Sequence, residues 1–157
     1  MVFTAVWGST ATAKADVKCD DHAAPNPAAP DSYQVQYNTS VAEPLTKDLA
    51  TFRDAVPSND PNQIEPAART LSDEISSNSM MFGTQTSFGC YNHAALERLQ
   101  TPTDALTRTL RAAANRGGKP PSDMFNCVTQ ARRLLWPYID ALNAYASQFG
   151  GQQVPQS

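Results

Sequence analysis

The sequence predicts an all-α protein, an antiparallel bundle of four or five helices behind a Pro-rich extended N-terminal leader. Three observations predict it. Apolar residues recur at steps of three and four through most of the chain after Asn38, no stretch alternates with a period of two, and prolines gather between the periodic runs. A chain of 157 residues with 41% apolar content can bury one modest core, so a single domain is expected. The net charge of −3 offers no broad basic field for a polyanion, which argues against nucleic acid as a partner.

Residues 1–15 carry a short apolar run from Val2 to Trp7 and end in Ala13-Lys14-Ala15, the small-x-small pattern of an export cleavage site. They are read as a truncated signal peptide, which makes the protein secreted or held in the cell envelope. Residues 16–38 follow as a Pro/Ala-rich leader, with Pro25, Pro27 and Pro30 favouring extended chain. The helical domain is expected over 39–150, with a flexible tail at 151–157. No run approaches the roughly 20 apolar residues needed to span a bilayer, so no transmembrane segment is expected.

Within the domain, Val41, Leu45, Leu49, Phe52 and Val56 share one helical face. Ser40 and Glu43 have the spacing of a capping box, and Pro57 stops the run. Asp60-Pro61 opens a second helix that aligns Ile64, Ala68, Leu71, Ile75 and Phe82, with Pro66 either kinking it or delaying its start. Met80 to Gly89 has two glycines and no period, and reads as an apolar loop. A third helix begins near Tyr91 and carries Leu96 and Leu99. Thr101-Pro102 then reads as a fresh start, continued by Leu106, Leu110 and Ala113 as far as Gly117-Gly118. The last helix is capped by Ser122 and repeats Phe125, Val128, Ala131, Leu135, Tyr138, Leu142, Tyr145 and Phe149 up to Gly150-Gly151, with a bend expected at Pro137.

The 3 cysteines suggest one disulfide and one remaining thiol in an exported protein. Cys90 with Cys127 is the favoured pair, because Cys19 falls in the leader. That pairing requires the chain to reverse at Thr101-Pro102. A straight helix would hold Cys90 far from Cys127 and hand one of them to Cys19.

No nucleophile elbow, zinc-protease, phosphate-loop or dinucleotide motif occurs. Cys90 and His93 stand at catalytic spacing without an obvious orienting group, and Cys19-Asp20-Asp21-His22 would hold a metal only loosely, so neither a catalytic nor a metal site is expected. Two surfaces remain as binding candidates. Met80, Met81, Phe82, Phe88, Tyr91 and His93 combine thioethers, aromatic faces and possible axial ligands that suit haem or another flat apolar ligand. Arg108, Arg111, Arg116 and Lys119, joined by Arg132 or Arg133, form a basic cluster suited to a lipid head group, a phosphorylated glycan or an acidic protein. The functional expectation is an exported, non-catalytic interaction or accessory protein of the cell envelope, with a carrier of haem or a small apolar ligand as the alternative.

Overall fold

The computed structural model describes residues 30–82, 93–115 and 117–157, and among these every regular element is helical. Four helices pack together in sequence order: α2 (Glu43–Ala55) on α3 (Pro61–Phe82), α3 on α4 (His93–Ala114), and α4 on α5 (Pro121–Ala146). A short α1 (Pro30–Tyr37) and a π turn (Asn38–Ala42) precede α2 and continue directly into it. The helical body therefore reaches back to Pro30, and residues 30–38, expected as the end of an extended leader, are helix. Residues 1–29 lie outside the described part, as does the proposed signal sequence within them.

Pro44 explains the π turn. It has no N–H to give and its ring would collide with the carbonyl of Ser40 in a regular helix. The turn widens instead, and the Glu43 N–H donates to the carbonyl of Asn38. Ser40 is consequently an exposed residue within a continuous rod, not the expected cap of α2.

The apolar stripe of each helix points inward as its spacing predicts. Leu45, Leu49 and Phe52 of α2, Ile64, Leu71 and Ile75 of α3, Leu99, Leu106 and Leu110 of α4, and Tyr138, Leu142 and Tyr145 of α5 are all essentially inaccessible. Pro57 does end α2, through a short 3-10 turn that finishes at Asn59 in the left-handed region (φ 55°). Asp60 then caps α3, its Oδ1 accepting the Asn62 N–H at 2.9 Å.

Three helix-interior prolines do not interrupt their helices. Pro66, Pro102 and Pro137 sit inside α3, α4 and α5. The carbonyls they orphan belong to Asn62, Arg98 and Arg133, all exposed, where water can replace the missing donor. At Pro102 the buried stripe continues on both sides, and the expected fresh start is absent because packing against α3 and α5 outweighs one lost hydrogen bond. Thr103 next to it donates its hydroxyl to the Leu99 carbonyl at 2.7 Å. Ser122 likewise fails to cap α5. Extended Pro120 takes that place, and Pro121 opens the helix with its preset φ.

An unbroken α4 removes the chain reversal that a Cys90–Cys127 disulfide demands. Its 22 residues span about 33 Å at about 1.5 Å per residue. Cys127, half-buried near the start of α5, carries a free thiol. Cys19 and Cys90 both lie outside the described residues.

The last seven residues form a strap and not the flexible tail that their composition suggests. After a 3-10 turn (Ser147–Phe149) the chain turns through Gly150 at φ 72°, and the Gly151 N–H donates to Ala146 at 2.8 Å. A Cβ on Gly151 would stand 2.9 Å from both the Phe149 and Tyr37 rings, so only glycine fits. The strap is then held from three elements. Asn38 accepts the Gln152 N–H, Asn143 of α5 both accepts from and donates to the Val154 backbone, and Arg53 of α2 donates to the carbonyls of Pro155 and Gln156. Val154 itself is buried.

Asn143→Ala removes both side-chain hydrogen bonds from α5 to Val154 and leaves the Val154 amide and carbonyl without that partner. Urea denaturation should show a loss of about 1–3 kcal/mol, with faster hydrogen exchange confined first to residues 150–157.

Candidate functional site

Of the apolar loop residues, Met80, Met81 and Phe82 belong to the last turn of α3 and so face different directions. Met80 is 73% exposed, Met81 is half-buried, and Phe82 is only 2% exposed. Phe82 meets Tyr145 at 5.2 Å between ring centres and Tyr37 at 6.5 Å. Tyr37 and Tyr145 each also meet Phe149 at 5.3 Å. These rings come from α1, α3, α5 and the terminal 3-10 turn, and they fill the bundle end. Phe82 is thus packed into the core among these rings. Phe88 and Tyr91 lie outside the described residues, and His93 is the first residue of α4.

The basic residues are divided among local tasks. Arg111 donates to the Ser76 hydroxyl at 2.7 Å, tying α4 to α3. Arg69, which the sequence pattern does not single out, donates to the Ala114 carbonyl at 2.7 Å and so caps the C-terminus of α4. Arg108 and Lys119 are exposed, while Arg116 lies outside the described residues. Arg132 and Arg133 are exposed on α5, one turn before Trp136. Trp136 is itself 61% exposed, an unusual setting for the largest side chain, and Pro137 beside it is exposed as well.

A polar constellation lies elsewhere, between α2 and α3. An open groove there is lined by Asp48, Thr51, Asp54, Asn62, Gln63 and Thr70, with Ala55, Pro66 and Ala67 as its apolar floor. One turn beyond Thr70 stands Glu74, half-buried beside the almost fully buried Asn78. Burial pushes the Glu74 carboxyl above the usual carboxylate range, and the nearby Asp48 charge pushes it further. The Asn78 amide offsets part of this, although its Nδ2 closes no hydrogen bond of good geometry. Asp48 is raised too, by burial, with Lys47 working against it. Behind Glu74 lies Tyr138 of α5, whose hydroxyl is pushed far up by burial, then by Tyr37 and Glu74.

Among the described residues no set of three histidine, cysteine or acidic side chains could hold a metal ion. No family model matches the chain, and no curated protein or solved structure is significantly similar to it. Its chemistry therefore rests on its own surfaces. Sequence periodicity misses Asp48 and Glu74 because each borders an apolar stripe, where a helix period assigns a charge to solvent. The available signal is their position, Asp48 directly before Leu49 and Glu74 directly before Ile75, at the edge of buried faces.

Phe82→Ala distinguishes core from pocket. It should cost about 3–5 kcal/mol in a denaturant titration, far more than trimming a ring that lines an open cavity.

Proposed function

We propose that this chain is an exported, non-catalytic interaction or accessory protein of the cell envelope, and that it engages its partner through the outer face of α5. The observation behind this reading is Trp136, 61% exposed and preceded on the same helix by exposed Arg132 and Arg133. Tryptophan and arginine are the side chains most often found at the energetic centres of protein interfaces, and a large exposed indole costs solubility unless something covers it. The inner face of α5 is fully committed to the core, so a partner on the outer face would meet a rigid platform. The arginines favour an acidic partner surface over a basic one.

Export rests on Ala13-Lys14-Ala15 and the apolar run before it. No helix among the described residues is long and apolar enough to cross a membrane. A carrier of haem or a similar ligand is the alternative reading, and of its candidate residues Phe82 is packed among the core rings.

Protein recovered from culture medium or envelope should begin at Asp16 and carry no chromophore. A photo-crosslinking residue at position 136 should capture an envelope component that the same residue at exposed position 70 on α3 does not. Trp136→Ala should leave folding stability within about 0.5 kcal/mol while weakening binding of that component by about tenfold or more. Recovery only from cytosol with Met1 intact, or identical capture from both positions, would overturn the reading.

A further inference from the structure

We propose that the acidic stretch of the leader around Asp20 and Asp21 docks in cis on Arg132, Arg133 and Trp136, so that the chain covers the outer face of α5 until a partner displaces it. This adds a regulator to the face assigned above. It rests on that reading only for its consequence, since docking in cis needs no partner.

Arg132 and Arg133 precede Trp136 by one turn of α5, and all three are exposed. Among the described residues no hydrogen bond or ion pair engages either guanidinium, unlike those of Arg53, Arg69 and Arg111, each of which reaches an oxygen on another element. On α5 the nearest acid, Asp140, stands one turn past the indole on the side away from both arginines. The face is therefore cationic and aromatic at one spot, and suits a short acidic segment.

The segments outside the described residues contain one such occupant. Asp16, Asp20 and Asp21 against a single Lys18 make residues 16–29 acidic, whereas residues 1–15 carry only Lys14 and residues 83–92 carry no charged side chain. The reach is sufficient. Gln34 donates to the Gly150 carbonyl at 2.7 Å, so α1 begins beside the end of α5. Pro30 lies one helical turn before Gln34, about 6 Å, and Arg132 lies 14 residues before Ala146, about 21 Å. The 14 residues from Asp16 to Ala29 extend to about 43 Å as polyproline II, which covers that path and leaves chain for the reversal before α1. Pro25, Pro27 and Pro30 favour such extended chain. About ten residues of it, roughly 31 Å, bring Asp20 and Asp21 level with the arginine pair, and His22 and Ala23 then cross Trp136.

A tether this short holds the acids at an effective concentration near the millimolar range, so two charge-assisted contacts and a covered indole suffice for occupancy. The leader offers the same acidity that the α5 arginines favour in a partner, and the two therefore compete for one surface.

The test follows the exposure of the indole. In the full chain with Trp7→Phe, which leaves Trp136 as the sole indole, acrylamide should quench Trp136 about twofold less than in the same chain carrying Asp20→Asn and Asp21→Asn, and the difference should close in about 1 M salt. It should not depend on protein concentration. Arg132→Gln with Arg133→Gln should expose the indole to the same degree. If that pair fails to fold, the leader variants decide, because they leave the helical body unaltered. Equal quenching with and without the leader aspartates would overturn the proposal. So would protection that grows with protein concentration, which assigns the face to a second copy, or protection that arises only with phosphatidylglycerol vesicles, which assigns it to a lipid surface. Crosslinking at position 136 reports separately on the partner: leader protection without capture keeps the docking and sinks the partner reading, and capture with an unprotected indole does the reverse.

Discussion

The contact on which the rest of this structure depends is the aromatic cluster of Tyr37, Phe82, Tyr145 and Phe149. It joins α1, the end of α3, the end of α5 and the 3-10 turn after α5. Rings of this size bury more apolar area than any aliphatic side chain, and their edge-to-face arrangement adds directionality that leucine packing lacks. Tyr145 and Phe149 cross at 78°, and Tyr37 meets Phe149 at 71°. The cluster fixes where α1 ends up, because α1 has little apolar surface of its own beyond Tyr37. It also sets the turn at Gly150-Gly151, since Gly151 passes against two of the rings.

Interhelical seams are handled differently along the bundle. Where α3 meets α4, Ser72 and Thr107 are buried with hydroxyls that have no side-chain or backbone partner, and Thr103 spends its hydroxyl on the carbonyl of its own helix. Small hydroxyl residues let two helices approach closely at a modest cost in unsatisfied polarity. Arg69 and Arg111 add long side chains at the margin of the same seam, each finding an acceptor on the other helix. The α2–α3 seam instead places the carboxyls of Asp48 and Glu74 at its border.

The helical stripes are legible in the sequence because each has a repeated apolar period with no competing signal. Ile64, Ala68, Leu71, Ile75 and Phe82 are all buried on one helix, and Asp60-Pro61 marks its start because the cap and the preset φ act within three residues. Boundaries at proline are not legible in the same way. Pro57 ends a helix and Pro102 does not, and the difference lies in the residues beyond each: a polar turn after Pro57, buried Leu106 and Leu110 after Pro102. Local propensity at Thr101-Pro102 points to a break, and long-range packing overrules it. Position 82 falls in two readings at once, last in the apolar stripe of its helix and early in the Met80–Gly89 loop, because the glycine after it obscures the helix end. The strap cannot be anticipated from residues 151–157, since its hold comes from Asn38, Arg53 and Asn143, all outside that segment.

That strap has a bearing on the order in which the molecule becomes solid. Its hydrogen bonds to Asn38 and Arg53, together with that from Gln34 to Gly150, close loops of more than a hundred residues between α1–α2 and the final turn. Contacts of such length cost the most chain entropy and form late, after local helices and neighbouring pairs have met. While the chain is being synthesised, α2, α3 and α4 can emerge and pair in turn, yet α1 has neither Phe149 nor Gly151 to pack against. The first of these helices out of the ribosome is therefore the last to be locked, and the unfinished protein stays pliable until residues 149–156 have appeared.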